Sequence, residues 1–342
     1  MKKNNPISTF LRSKSFPLVI ILVVMTVVTA VVSHGRFFAK GNILGILFPM
    51  VIQVIMLCGI GLILISGNID LSVAGQATIC ALVFARICQR TALPWGVAVI
   101  IALAVAMCLG LVNTFLVNKL RFPAFIATIG MSSVYRGLCS VMTNGDNIGI
   151  SRPGFSTFGQ ATVLGVLPVS FICAVILLAI FQFILSYTRF GRNIFIVGGN
   201  PPAARLAGLN PDRTRMILFI VNSCVACLGG LVWASNAGLA SPVAIIDGAP
   251  DMQVISAGIL GGIAFMGGAG NLVGGLIGVL LLNIFKNMLI VMGIPTYWTV
   301  FAQGFVLAVA LGIDYVSNER RRKALLAASA AADLAEAEGL AT

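Results

Sequence analysis

Ten long apolar runs, separated by short polar or glycine-containing breaks, make up most of the chain; they fall at 16–32, 43–66, 71–88, 94–116, 122–143, 162–186, 215–238, 252–267, 272–292 and 296–314. A helix of about 20 apolar residues crosses a bilayer. Inside lipid it also satisfies its own backbone hydrogen bonds. The pattern therefore predicts an all-α polytopic membrane protein with about ten transmembrane helices. The runs at 16–32, 71–88 and 252–267 are short for a full crossing. The first follows a basic stretch, as the apolar core of a secretory signal peptide does. So many apolar runs come after it that an uncleaved first membrane helix is the better reading.

The basic residues give these runs a direction. With a cytoplasmic N-terminus, ten crossings put fifteen Lys and Arg side chains inside: four before residue 15, Lys119 and Arg121, then Arg189, Arg192, Arg205, Arg213 and Arg215, and finally Arg320 to Lys323. Five fall outside: Arg36, Lys40, Arg86, Arg90 and Arg152. This excess places both the N- and the C-terminus in the cytoplasm. Eight crossings would do the same, so charge leaves ten and eight both open. The expected organisation is a cytoplasmic segment 1–15, a membrane domain 16–315 and a cytoplasmic tail 316–342, in an inner (cytoplasmic) membrane.

The longest polar connector, 187–215, carries five arginines against Asp212. Within it, Asn200, Pro201, Pro202, Ala203, Ala204, Arg205, Leu206, Ala207 and Gly208 read as a short helix. Asn200 can cap it, proline suits its first position, and Gly208 can end it. Such a helix is either a docking element for a cytoplasmic partner or an interfacial turn. Between 251 and 292 the chain is dense in glycine, with Gly258/Gly262, Gly270/Gly274 and Gly274/Gly278 four residues apart. That spacing suits close helix packing in lipid. It also suits a helix broken where it lines a cavity. The Ala/Glu-rich end after Lys323 reads as a cytoplasmic helix or a frayed terminus.

Composition narrows the function classes. Hydrophobic residues make up 59% of the chain and charged ones 9%, against about 25% charged in a soluble domain. The net charge of +12 sits between apolar runs and at the two ends. It does not form a basic face with interleaved aromatics, which argues against nucleic-acid binding. The eight cysteines lie in apolar segments, and Cys224 and Cys227, although spaced as CxxC, have no second pair or His cluster. The one histidine, His34, lies in a short outer loop. No paired carboxylates, HExxH or nucleophile–base set argues for an enzyme. No GxxxxGK[ST] phosphate cradle is present, so an ATP-driven process would need a separate ATPase chain.

Polar groups inside apolar surroundings are the candidates for function. Asn68, Asp70 and Ser72 lie in GNIDLSVAG between two runs. Asp70 can cap the following helix with help from Ser72, or it can contact solute hydroxyls. Arg136, after Tyr135, can pair with a carboxylate or line a polar cavity. Lys286, flanked by Asn283 and Asn287, can snorkel to the interface. Gln253, Gln303 and Asn222 can bond between helices or to a polyol. Tyr297, Trp298, Phe265 and Phe285 could offer aromatic faces to such a solute.

Four segments carry a resemblance: GNIDLSVAG, FPAFIATIGMSSVYRGL, TRFGRNIFIVGGNPPAARLAGLN and AGILGGIAFMGGAGNLVGGLIGVLLLNIFKNML. In order, and over roughly 40–315, they resemble the permease subunits of ribose-type (monosaccharide) ABC importers. The resemblance implies about ten helices per permease and a pair of permeases, identical or paralogous. It also implies two cytoplasmic ABC ATPases and a periplasmic or surface sugar-binding protein. Residues 200–208 would be the coupling helix, and ATP and Mg would belong to the ATPase, leaving no cofactor in this chain. Asn68 and Ala74 stand where many relatives have glycine, and Ala269 stands where a polar or basic residue is common. The family handles pentoses, hexoses, polyols, inositol and furanose-like signals, and the resemblance does not choose among them. An ion-coupled secondary transporter or a channel is the alternative, although buried acids are few. A membrane enzyme or scaffold is a third class, without a catalytic constellation to support it.

Overall fold

A computed structural model describes residues 16–150, 152–295 and scattered positions between 297 and 319. The predicted segment 1–15, Gln303 and residues 320–342 lie outside the described residues. The helices, in chain order, are α1 (Phe16–Val32), α2 (Lys40–Ile65), α3 (Val73–Arg90), α4 (Trp95–Thr114), α5 (Ala124–Thr143), α6 (Pro153–Gln160), α7 (Val169–Tyr187), α8 (Arg189–Gly199), α9 (Pro201–Leu206), α10 (Pro211–Ala237), α11 (Ala244–Asp247), α12 (Pro250–Leu260) and α13 (Leu272–Val291). A π-turn, Phe115–Lys119, extends α4. Six of these elements are long and apolar enough to cross a membrane: α2, α4 with its extension, α5, α7, α10 and α13. The chain is a multi-pass α-helical membrane protein. Four two-residue strands, β1 (Ile148–Gly149), β2 (Thr162–Val163), β3 (Leu167–Pro168) and β4 (Leu239–Ala240), pair β1 with β4 and β2 with β3, both antiparallel.

The bundle is organised around α2, which packs on α7, α10, α12 and α13. Every residue from Met50 to Ile65 is buried. A helix covered on all sides has no polar face to show, so its sequence is apolar all round. In contrast α4, α5 and α7 turn large apolar side chains outward: Ile100 is 67% exposed, Val141 76% and Ile176 54%. Such faces are stable against acyl chains. Within α2, Pro49 leaves the carbonyl of Gly45 without its usual intrahelical donor.

Several runs take a different form from the one their composition predicts. The 71–88 run becomes α3, which is buried almost throughout and carries Gln76 and Thr78 inside the protein. Helix neighbours replace lipid around it, so it need not be continuously apolar. The 162–186 run begins as the β2–β3 hairpin and turns helical only at Val169. The 252–267 run is not one helix: α12 stops at Leu260, and an irregular loop leads to α13. The start of α13 is nevertheless satisfied, because Asn271 Oδ1 accepts from Gly274 N (2.5 Å) and Gln182 Oε1 on α7 accepts from Leu272 N (2.8 Å). The 187–215 connector is mostly helical. Thr188 caps α8, and Arg213 and Arg215 already belong to α10.

At one end of the bundle three segments meet backbone to backbone. Gly67 follows α2, Gly198 is the penultimate residue of α8, and Gly267–Gly268 lie in the loop before α13. The Gly268 N–H donates to Ile65 O at 2.8 Å. A methyl group on Gly198 would land on that same Ile65 carbonyl. Only glycine permits this approach.

Candidate functional site

Two chambers lie side by side between α2, α10, α12 and α13. The first, of about 290 Å³, is lined by Gln53, Gln253, Ser256 and Asn283, with Asp247, Met252 and Leu282 around them. The second, of about 210 Å³, is lined by Phe48, Pro49, Trp233, Asn236 and Lys286, and again by Gln53 and Gln253. Pro49, where α2 lacks one backbone donor, lies in the wall of the second chamber. Amides, a hydroxyl and an indole face stand among mainly apolar lining, and Lys286, half-buried, is the one charged side chain among the described lining of the second chamber.

A head-to-tail chain of amides crosses this region. Asn283 Nδ2 donates to Gln53 Oε1 at 2.5 Å, and Gln53 Nε2 donates to Gln253 Oε1 at 2.5 Å. Gln253 Nε2 then donates to Gly248 O at 2.8 Å. Side chains from α13, α2 and α12 are thus tied by neutral bonds, each worth about 0.5–1.5 kcal/mol net. Near one end of α13, Asn42 and Asn287 exchange two further amide bonds of 3.2 and 2.8 Å. Gln53 and Trp233 were not among the residues the sequence marked. A lone amide in a long apolar run is a signal for Gln53. Nothing local marks Trp233.

Asp70 belongs to a separate, fully buried network. Its Oδ1 accepts from Ser72 N (2.9 Å) and Ser72 Oγ (2.6 Å), and its Oδ2 accepts from Asn222 Nδ2 (3.0 Å). Ser72 Oγ accepts from Gln76 Nε2 and Asn113 Nδ2, both at 2.8 Å. The Tyr135 hydroxyl donates to Asn113 Oδ1 at 3.2 Å. The residue at the N-cap of α3 is Ser72, and Asp70 binds that residue rather than the helix's free N–H groups. A buried carboxylate is tolerated when donors surround it. Asn222 comes this close because Gly59 on α2 has no side chain, and any Cβ there would strike it.

The remaining predicted residues scatter. Asn68 folds back onto Ser66, donating to its carbonyl and hydroxyl at 3.1 Å. Arg136 pairs with Asp247 at 2.7 Å, both side chains about half exposed. An exposed pair of this kind is worth up to about 1 kcal/mol. Tyr297, Trp298, Phe265 and Phe285 do not line either chamber; Trp233 and Phe48 supply the aromatic faces instead. Tyr297, Trp298 and Phe301 pack in sequence on one another. Among the described residues, no group of three His, Cys, Asp or Glu side chains is placed to hold a metal ion.

At the bundle end that carries the glycine junction, α8 and α9 form a short arm. Asn200 Oδ1 accepts from Ala203 N at 3.0 Å, Pro201 opens α9, and Gly208 takes a φ of 79° just beyond it. Asp212 gathers three arginines: Arg121 at 3.2 Å, Arg215 at 3.5 Å and Arg205 at 3.7 Å. These pairs fasten α9 and the α4–α5 connection to the start of α10. Leu206, at the tip of α9, is 92% exposed.

A helical membrane bundle with polar chambers around a broken helix is the architecture of a permease. The family described as "Branched-chain amino acid transport system / permease component" matches residues 42–311, and the chain belongs to it. It is 34% identical over 301 residues to the ribose import permease protein RbsC of Escherichia coli K12, covering 86% of this chain and 92% of that protein. It is 30% identical over 285 residues to the autoinducer 2 import system permease protein LsrC of Photorhabdus luminescens, covering 83% and 85%. The LsrC protein of Enterobacter sp. strain 638 is 33% identical over 281 residues, covering 82% and 78%. No solved structure matches the chain.

Proposed function

We propose that this chain is the permease subunit of an ABC importer and forms the translocation pathway for a neutral sugar or sugar-like polyol. The observation that carries this reading is the lining of the paired chambers by amides, a hydroxyl and an indole between α2, α10, α12 and α13. Hydroxyl groups both donate and accept, and so do amides. Membership of the permease family supports the reading, as do the import roles named for the ribose and autoinducer 2 relatives. A secondary transporter or channel is the disfavoured alternative.

In this reading the chain crosses an inner (cytoplasmic) membrane ten times, with α3 and the α12–loop unit as its protein-enclosed crossings. Both termini face the cytoplasm. A second permease, identical or paralogous, stands beside it in the lipid. A periplasmic or surface binding protein delivers the solute. ATP and Mg bind only to cytoplasmic ATPase subunits, which dock on α9 from Asn200 to Gly208. Movement of that arm reaches α2 and the loop before α13 through the glycine junction, and the pathway alternates its access.

Leu206 gives the test. An exposed leucine at the tip of a capped helix suits an apolar pocket on the ATPase, and an aspartate there would be buried unpaired on docking. Leu206→Asp is expected to abolish co-purification with the ATPase while membrane insertion stays normal. Undiminished association would remove α9 from the interface.

A further inference from the structure

The chambers are divided by the very side chains that line both of them. Gln53 and Gln253 face each chamber, and the hydrogen bond between them, 2.5 Å long, closes the gap. Taken singly, chambers of about 290 and 210 Å³ lie just under the roughly 300–1,000 Å³ typical of small-molecule sites. Merged, they fall well within that range. Opening the amide bridge would therefore join the two chambers into one continuous site.

The bridge has the right chemistry to open. Both ends of the Gln53 amide are engaged by other neutral amides, Asn283 on one side and Gln253 on the other. No charge holds it shut. A solute hydroxyl can donate to Gln253 Oε1 and accept from Gln53 Nε2, so the exchange loses no hydrogen bond. A solute without a hydroxyl donor would leave the buried Gln253 Oε1 unpaired, which is costly. Trp233 and Phe48 offer apolar faces in the second chamber for the C–H faces of a sugar ring.

We propose that the Gln53–Gln253 bridge is a partition which the solute itself opens. The solute inserts a hydroxyl between the two amides and lies across both chambers. This rests on the pathway reading above and adds a gate, two specificity-determining residues and a required substructure of the solute.

The test uses the full chain in lipid nanodiscs, with Trp95→Phe and Trp298→Phe so that Trp233 is the sole reporter in the chamber. D-Ribose and myo-inositol, which carry hydroxyls, are titrated against tetrahydropyran, a ring ether with no hydroxyl donor. Saturable quenching is expected with the first two only. Gln53→Leu should weaken D-ribose binding by about tenfold or more. Gln253→Ala removes the acceptor that the inserted hydroxyl uses, so it should weaken D-ribose binding as well. Unchanged D-ribose binding in Gln53→Leu overturns the gate and leaves the pathway standing. So does unchanged D-ribose binding in Gln253→Ala. If the parent responds to neither polyol, the polyol pathway falls and the gate with it.

Discussion

Asp70 illustrates at the scale of single residues why a buried carboxylate in a transporter need not touch the cargo. Its three accepted bonds come from Ser72 and Asn222, and it lines neither chamber. Asp70→Ala would strand the Asn222 amide and the Ser72 N–H, at about 1–3 kcal/mol for each orphaned group. The expected outcome is a lower thermal unfolding midpoint in detergent, with D-ribose quenching of Trp233 unchanged. A tenfold loss of binding with no loss of stability would instead place Asp70 in the pathway. Asp70 and Ser72 could be picked out in the sequence because they sit beside a helix start. Gln53 offers only the signal of a lone amide in an apolar run, and its partners Gln253 and Asn283 are 200 and 230 residues away. Periodicity in an all-apolar helix gives no register for pairing such groups.

At the scale of elements, local signals served best where the ends of a helix explain themselves. Asn200, Pro201 and Gly208 define α9 without help from the rest of the fold. The break after Leu260 was less legible: its glycines fit close packing as well as a loop, and only Gln182 from α7 and Asn271 make the loop's exit into α13 affordable in lipid. The arm depends on the end of α8 lying directly on the end of α2. Gly198→Ala would force these backbones apart. The ATPase should still bind, because α9 is untouched. Solute import by the reconstituted complex should fall by about tenfold, a coupling loss of about 1.4 kcal/mol. Full import by this variant would mean that the arm acts through other contacts.

For the molecule as a whole, the alternation of apolar runs and basic breaks exposed the class of protein, because lipid imposes the same rule on every segment. It could not expose the chambers, which exist only once α2, α10, α12 and α13 have packed. The orientation can be checked at two exposed positions. Leu164 in the β2–β3 hairpin is 96% exposed and Leu206 is 92% exposed. They lie beyond opposite ends of α7, whose 19 residues span about 28 Å. With a membrane-impermeant maleimide on intact cells, Leu164→Cys should label at once and Leu206→Cys only after permeabilisation. The reverse order would invert the topology and put α9 out of reach of any cytoplasmic ATPase.

The meeting of Gly67, Gly198 and Gly268 has a mechanical meaning. Side chains normally act as springs between moving parts, absorbing small shifts by changing rotamer. This joint has no springs, so it has no slack, and a small stroke at the arm would arrive at α2 undamped. Cargo preference can then be retuned at distant amides while the hinge stays as it is.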